Sequence, residues 1–263
     1  MLIVHADGIG TARLGDDDGA SILNHVVRPL AAKTGAKTAR VHWPASMATV
    51  GGSMSWTNAT HHGILDLDRI AGENPGDRLI LLGYSGGCRV IHDWLDYRPE
   101  ERRRVAAVGL MSDPYRPYGR EQHGTPPTSG WGVCGQRVGP LGGCTLWTTH
   151  PADVISNALP DALLRTFADL SDQIPGGLLD DLRNHHNRGD WQLLYQLGVL
   201  RTNPLAYFGT LGYRLGQARR DIEGYVTGVH TRGYTEPFHT PDGKAESLAH
   251  RLAGSLAWML RYQ

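Results

Sequence analysis

The 263-residue sequence has few cysteines, no net charge and no long apolar run, and each absence argues against one class of protein. Its three cysteines are too few for a disulfide framework and form no zinc-binding C-x-x-C pair, although one bridge between Cys134 and Cys144 stays open. Basic and acidic residues number 26 each, so no net charge attracts nucleic acid or an anionic membrane. No apolar run reaches the roughly 18 residues of a membrane-spanning helix. We expect no nucleic-acid partner and no integral membrane segment.

The amino terminus also lacks the pattern of a secretory signal. Residues 1–5 enter an apolar strand without a basic segment or a long apolar stretch, so we expect no export signal. The composition is that of a globular protein, with 40% hydrophobic and 20% charged residues. At this length a single large domain over residues 1–263 is possible, and we expect that organisation with a monomer as the favoured state.

The hydrophobic pattern alternates between strands and helices along most of the chain. Apolar segments typical of strands are residues 2–5, 38–43, 78–83, 105–111, 145–149 and 224–229. Apolar residues at helical spacing begin near Ser21 and recur in residues 63–71, 90–97 and 242–260. Such alternation predicts βαβ units and a mostly parallel sheet flanked by helices, which is an α/β fold.

Two segments interrupt this alternation. Residues 114–143 are rich in glycine and proline without a period, which predicts one long loop that borders a site and could act as a lid. Residues 158–220 have helical spacing and predict a helical insertion between two strands. Its apolar faces are expected to pack on one another, with a lipid-facing role as the alternative.

Residues 83–87 read Gly-Tyr-Ser-Gly-Gly, which matches the Gly-x-Ser-x-Gly pattern of a serine nucleophile. The match follows a buried apolar strand and precedes a helix, which is the setting of a nucleophile elbow. The two outer glycines permit the strained turn and the close approach of strand and helix. We interpret Ser85 as a nucleophile; the alternative is a serine that caps the helix.

A serine nucleophile needs a base, and the base needs an orienting carboxylate. In α/β-hydrolases the chain order is serine, then acid, then histidine. We prefer His239 as the base, because it lies in a polar turn between the last predicted strand and the final helix. His230 is the second choice, and His250 on the final helix is a packing or solvated residue.

For the acid we prefer Asp153, which follows the strand predicted at 145–149. Asp113 is the alternative, but an aspartate before a proline commonly holds a turn through its side chain. The tetrahedral oxyanion of acyl transfer also needs donors, and one is expected from the backbone N–H of Gly86. We expect the second from the loop after the first strand, at the N–H of Ile9, unless that segment is an ordinary glycine turn.

Metal chemistry has weak support in the sequence. The adjacent pairs at residues 61–62 and 185–186 are histidines, but neighbouring residues face apart on a helix and no His-Glu-x-x-His spacing is present. We expect no metal and no cofactor.

The order of these segments resembles the lysin B enzymes of bacteriophages that infect mycobacteria, which are similar to cutinases. The matching segments are the glycine turn after the first strand, Trp43-Pro44-Ala45, residues 83–87, residues 112–116, Pro151-Ala152-Asp153 and Phe238-His239-Thr240-Pro241. A helical linker between acid and histidine, here 158–220, distinguishes lysin B from compact cutinases. The chain departs from the family at Gly86, where relatives usually have a polar residue, and in its first turn.

The resemblance implies a cutinase-like α/β-hydrolase with Ser85, Asp153 and His239 as its triad. It implies a serine esterase that hydrolyses the ester between mycolic acids and arabinogalactan, a mycolylarabinogalactan esterase that aids host lysis. Such a phage product would accumulate in the host cytoplasm and act on the envelope after release. The alternatives are a general cutinase-like lipase or esterase and an inactive scaffold that binds wall lipid or glycan.

Overall fold

The structure is a computed structural model, which describes residues 1–10, 21–47, 50–139, 141–165, 168, 200–226, 228–239 and 245–262. The strands are β1 (Leu2–Ala6), β2 (Lys37–Arg40), β3 (Leu79–Tyr84), β4 (Val105–Met111), β5 (Cys144–Thr148), β6 (Pro237–His239) and β7 (Ala245–Ser247). The α-helices are α1 (Asn24–Thr34), α2 (Trp56–Glu73), α3 (Gly86–Tyr97), α4 (Pro204–Gly209), α5 (Leu211–Val226), α6 (Arg232–Thr235) and α7 (Leu248–Leu260), and a 3₁₀ helix spans Pro99–Arg104.

Five strands form a parallel sheet in the order β2-β1-β3-β4-β5. The predicted parallel α/β fold is confirmed, because the first five predicted strands all lie in this sheet. β6 and β7 pair antiparallel in a separate two-stranded sheet that the sequence pattern did not indicate. Thus the carboxyl ends of β1, β3, β4 and β5 meet at one edge, where α/β proteins place their sites.

Helices cover both faces of the sheet, and alternate residues of each strand point to opposite faces. Ile80 and Leu82 of β3 are buried in the same cluster as residues of α1 and α7. Leu79 and Leu81 of β3 are buried with residues of α2 and α3 on the other face. This explains why β3 reads as a continuous apolar run, since a parallel strand is covered on both sides.

The last predicted strand is wrong. Residues 224–226 form the end of α5, which runs from Leu211 to Val226, and residues 228 and 229 lie in a turn. The valines of this segment favour a strand locally, but in the fold Gly224 and Val226 continue a helix of 16 residues. The parallel sheet therefore ends at β5 on this side. A position for the catalytic base that is inferred from a sixth strand does not apply to this fold.

The predicted helical insertion is covered only in part by the described residues. Of the predicted helical insertion at 158–220, residues 166–167 and 169–199 lie outside the described residues, and the described remainder includes α4 and α5. Its extent and the single-domain organisation stay predictions. Within the described part of the chain, no helix has both the length and the apolar character needed to cross a bilayer.

The long loop at 114–143 is fixed by buried arginines. The guanidinium of Arg116 is fully buried and donates to the carbonyls of Ser156 at 2.7 Å and Gly130 at 2.6 Å. Arg165, equally buried, donates to the carbonyl of Gly132 at 2.6 Å and to that of Ala158 at 2.5 Å. A lid would have to break these hydrogen bonds in order to open, so they oppose such a movement of the loop.

Candidate active site

Ser85 occupies a strained turn between β3 and α3. Its φ is +52°, a region that side chains other than glycine rarely adopt, and its N–H donates to the carbonyl of Met111 at 2.9 Å. The flanking glycines are required sterically: a Cβ at Gly87 would lie 2.2 Å from the carbonyl oxygen of Ala6, and one at Gly83 would lie 2.8 Å from Cα of Cys88. This is the geometry of a nucleophile elbow.

The hydroxyl of Ser85 does not cap the helix. Its side chain makes no capping hydrogen bond with α3, so that alternative is wrong. Oγ lies instead 2.8 Å from Nε2 of His230. The residue is about 9% exposed, which leaves the hydroxyl reachable from the adjoining cavity.

His230 occupies the position beside Ser85. It lies between α5 and α6, where the hydroxyl of Tyr84 donates to its carbonyl at 2.6 Å and the Tyr84 ring stacks on the imidazole with centroids 5.2 Å apart. His239 is the last residue of β6 and pairs with Ala245. The geometry favours His230, the second choice from the sequence, because the preference for His239 relied on a strand at 224–229 and residues 224–226 are helical in the structure.

Asp153 follows β5 as predicted and lies on the far side of the imidazole. Its two carboxylate oxygens are 3.1 and 3.2 Å from Nδ1 of His230, and Oδ1 accepts from the backbone N–H of Ile155 at 3.1 Å. Complete burial acts to raise the pKa of Asp153, but His230 and the surrounding hydrogen bonds outweigh it and hold that pKa below its usual range. The carboxylate is therefore ionised at neutral pH.

Asp113 forms a different buried pair. Its Oδ2 lies 2.9 Å from Nε2 of His92 and accepts from the indole N–H of Trp147 at 2.9 Å, while Oδ1 accepts from the backbone N–H of Tyr115 at 2.9 Å. The last bond, to the residue two positions ahead, is the turn expected of an aspartate before a proline. Asp113 thus fixes the start of the long loop, and Asp153 is the carboxylate that meets His230.

Ile9 and Gly86 lie side by side next to the serine. A Cβ at Gly86 would be 2.6 Å from Cγ1 of Ile9 and 3.5 Å from its nitrogen, and a Cβ at Gly8 would be 3.0 Å from Cβ of Ser85. The Ile9 side chain therefore fills the space that a side chain at position 86 would need, which explains the glycine there. The backbone nitrogens of Ile9 and Gly86 stay predicted oxyanion donors, and this proximity is consistent with both.

The loop that carries Ile9 is anchored by Asp7, which lies two residues before it. This fully buried carboxylate accepts from the hydroxyl of Ser21 at 2.7 Å and pairs with Nε of Arg40 at 3.1 Å. The carbonyl of Asp7 accepts from the indole N–H of Trp43 at 3.1 Å, and the N–H of Gly10 donates to Ala45 at 2.8 Å. The loop is thus fixed on both sides of Ile9.

A cavity of about 260 Å³ opens onto Ser85 and Gly86. Its walls are mostly apolar and come from several parts of the fold: Ile9, Met47, Val50, Trp56, Pro114, Val133, Cys134, Val154, Ile155, Leu164 and Ala168. The 114–143 loop supplies three of these residues, which confirms that it borders a site. Asp221 of α5 is the one carboxylate among the described lining residues, and burial raises its pKa although Gln217 and Arg220 oppose this.

Other side chains could in principle hold a metal or form a disulfide. Among the described residues no group of three histidine, cysteine or carboxylate side chains is close enough to hold a metal ion. None of Cys88, Cys134 and Cys144 is in a disulfide, so the bridge left open between Cys134 and Cys144 is absent. His185 and His186 lie outside the described residues.

Sequence reasoning missed two polar side chains of the site. Ser112 and Tyr234 both donate to the carboxylate of Asp153, the tyrosine at 2.6 Å. Ser112 stands next to Asp113 at the carboxyl end of β4, a position that could have drawn attention to it. Tyr234 lies four residues beyond His230, and no motif marks it.

The chain is similar to several solved structures of esterases and cutinase-like proteins. No family model and no curated protein sequence matches the chain. Among solved structures it is similar to an acetylxylan esterase (17% identity, 70% of this chain and 97% of that one, TM-score 0.46) and to lysin B from Mycobacteriophage D29 (15%, 67% and 77%, 0.47). A cutinase-like protein from Cryptococcus sp. is similar at 16% identity, with 65% and 88% covered and a TM-score of 0.45.

Proposed function

We propose that the protein is a serine carboxylic-ester hydrolase that works through an acyl-enzyme. The observation that carries this proposal is the connection of Ser85, His230 and Asp153 by distances of 2.8 Å and 3.1 Å. Nucleophile, base and orienting carboxylate in this order form a unit that acyl transfer requires. The same geometry argues against an inactive scaffold, because a strained serine turn and a fully buried carboxylate are costly to maintain without a reaction.

In the proposed reaction, Nε2 of His230 takes the proton of Ser85 as Oγ attacks the ester carbonyl. The imidazolium formed is stabilised by the ionised Asp153, and the oxyanion accepts from the N–H groups of Ile9 and Gly86. His230 then gives its proton to the departing alcohol, which leaves the acyl group on Oγ. Water, deprotonated by the same imidazole, releases the acid and restores Ser85. No cofactor takes part.

The cavity supports an apolar acyl group as the part of the substrate that is bound. Its mostly apolar walls adjoin Oγ of Ser85, so burial of a hydrocarbon chain there is favourable. Combined with the resemblance to lysin B and the helices α4 and α5 between acid and base, this supports the mycolic acid ester of arabinogalactan as substrate and a role in phage-induced host lysis. A general cutinase-like esterase of other lipid esters is the second candidate.

Release of free mycolic acids from purified mycolyl-arabinogalactan tests the substrate. We expect release by the wild type and none by Ser85→Ala, measured by thin-layer chromatography. Simple p-nitrophenyl esters of acetate and of longer fatty acids serve as the parallel substrates. Hydrolysis of these esters without mycolate release would reject the lysin B activity and favour the general esterase; hydrolysis of neither would reject the esterase itself.

Replacement of the two candidate acids should separate their roles. We expect Asp153→Asn to lower kcat by about 10³- to 10⁴-fold, because the imidazole loses its orienting charge. Asp113→Asn removes the ionised partner of His92 and should lower thermal stability more than turnover at a permissive temperature. Ester hydrolysis and the thermal midpoint are measured on both variants. A greater loss of kcat in folded Asp113→Asn than in Asp153→Asn would contradict the assignment.

A further inference from the structure

The Asp153 carboxylate receives two side-chain hydroxyls in addition to His230. The hydroxyl of Tyr234 donates to Oδ2 at 2.6 Å, and Oγ of Ser112 donates to the same oxygen. Ser112 Oγ also lies 3.1 Å from Nδ1 of His230. The Ser112 hydroxyl therefore bridges acid and base, because its proton goes to the carboxylate and its lone pair faces the imidazole N–H.

The backbone of Ser112 gives independent evidence that its hydroxyl matters. The residue has a φ of +55° and is fully buried, and its N–H donates to the carbonyl of Thr148 at 3.0 Å. Glycine adopts this region without strain, whereas any side chain with a Cβ is disfavoured there. A serine at a position better suited to glycine indicates that the side chain supplies something the site uses.

The hydroxyl of Tyr234 is held by further hydrogen bonds besides the one to Asp153. Its hydroxyl accepts from the backbone N–H of His150 at 3.1 Å and lies 3.3 Å from Oγ of Ser156. With these donors satisfied, its own proton is directed to Asp153. The titratable groups that interact with Asp153 are His230 after α5, Tyr234 on α6 and His150 after β5.

We propose that Ser112 and Tyr234 are positioning residues, which hold the Asp153 carboxylate and keep the Nδ1 proton of His230 in place so that Nε2 can accept from Ser85. The proposal deepens the proposed function and rests on it for its kinetic consequences. Neither side chain lines the cavity. Their loss should therefore lower kcat and leave KM nearly unchanged.

Three variants test this, with one matched control. Ser112→Ala and Ser112→Gly both remove the bridging hydroxyl, but only the glycine relieves the strained backbone, so it should have the higher thermal midpoint of the two. Both should lose kcat by roughly 10- to 100-fold, as should Tyr234→Phe, because each removes a charge-assisted hydrogen bond. Ser156→Ala removes a buried serine hydroxyl that contacts Tyr234 but not Asp153, and should stay within about twofold of the wild type.

Two readouts separate positioning from stability. Loss of a donor raises the pKa of Asp153, since the ionised form loses a stabilising bond. The acid limb of kcat/KM reports the coupled proton equilibria of the catalytic unit, so it should move to higher pH in the three variants and not in Ser156→Ala. The Nδ1 proton resonance of His230, recorded in ¹⁵N-histidine-labelled protein without substrate, should shift upfield and exchange faster with water.

The outcomes are distinguishable. Recovery of wild-type kcat in Ser112→Gly, or an unchanged His230 resonance in both Ser112→Gly and Tyr234→Phe, would overturn the positioning proposal. A wild type that hydrolyses no ester, with the His230 resonance altered as expected in the variants, would overturn the proposed function while the structural role of the two hydroxyls stands.

Discussion

Ser85→Ala is expected to fold like the wild type and to lose ester hydrolysis by at least about 10³-fold. The loss follows from removal of the atom that forms the acyl bond; the residue's N–H, which donates to Met111, is kept. Turnover of p-nitrophenyl butyrate, with circular dichroism as the check of folding, measures both effects.

A covalent label provides the control for this prediction. A fluorophosphonate should modify the wild type at Ser85, identified by mass spectrometry of the peptide, because only a serine activated by a base reacts rapidly with it. The Ser85→Ala protein should remain unlabelled. Substantial turnover in Ser85→Ala, or labelling at another serine, would reject the mechanism.

The second large effect separates the two candidate histidines. His230→Gln should lower kcat by roughly 10³- to 10⁴-fold, since no group then takes the proton of Ser85 at a distance of 2.8 Å. His239→Gln serves as the matched substitution on β6 and should keep most of the activity. The comparison uses the same ester at saturating concentration, so that substrate affinity does not enter.

The fluorophosphonate reaction again gives an independent measure. Its rate should fall in His230→Gln to near that of an unactivated serine and should change little in His239→Gln. The reverse order, with His239→Gln inactive and His230→Gln active, would reject the base assigned from the geometry and restore the one assigned from chain position.

Much of the fold could be predicted from local patterns. β3 is a continuous apolar run because both of its faces are buried, and the glycines at 83 and 87 stand where a Cβ would strike the backbone. Asp153 was found for a related reason, since β5 is a strand and the residues after a strand of a parallel sheet reach the common edge. The sequence patterns that indicate these features each lie within a few consecutive residues.

The base could not be found in the same way. Residues 224–229 contain the valines of a strand, but residues 224–226 end a helix. The rule that places histidine after the last strand therefore selects His239. Ser112 and Tyr234 are 41 and 81 residues from Asp153 along the chain, and only the fold brings their hydroxyls to it. Long-range polar contacts leave no periodic pattern in a sequence.

The two buried arginines that fix the long loop affect how substrate is bound. Arg116 and Arg165 join the loop to the segment after Asp153, and both segments form walls of the cavity. The entropy lost on ordering these walls therefore belongs to folding and not to binding, so an acyl chain enters a preformed site. A preformed wall cannot expand to follow a bulkier chain. Selectivity for acyl shape is consequently a property of the folded scaffold, established before any substrate arrives.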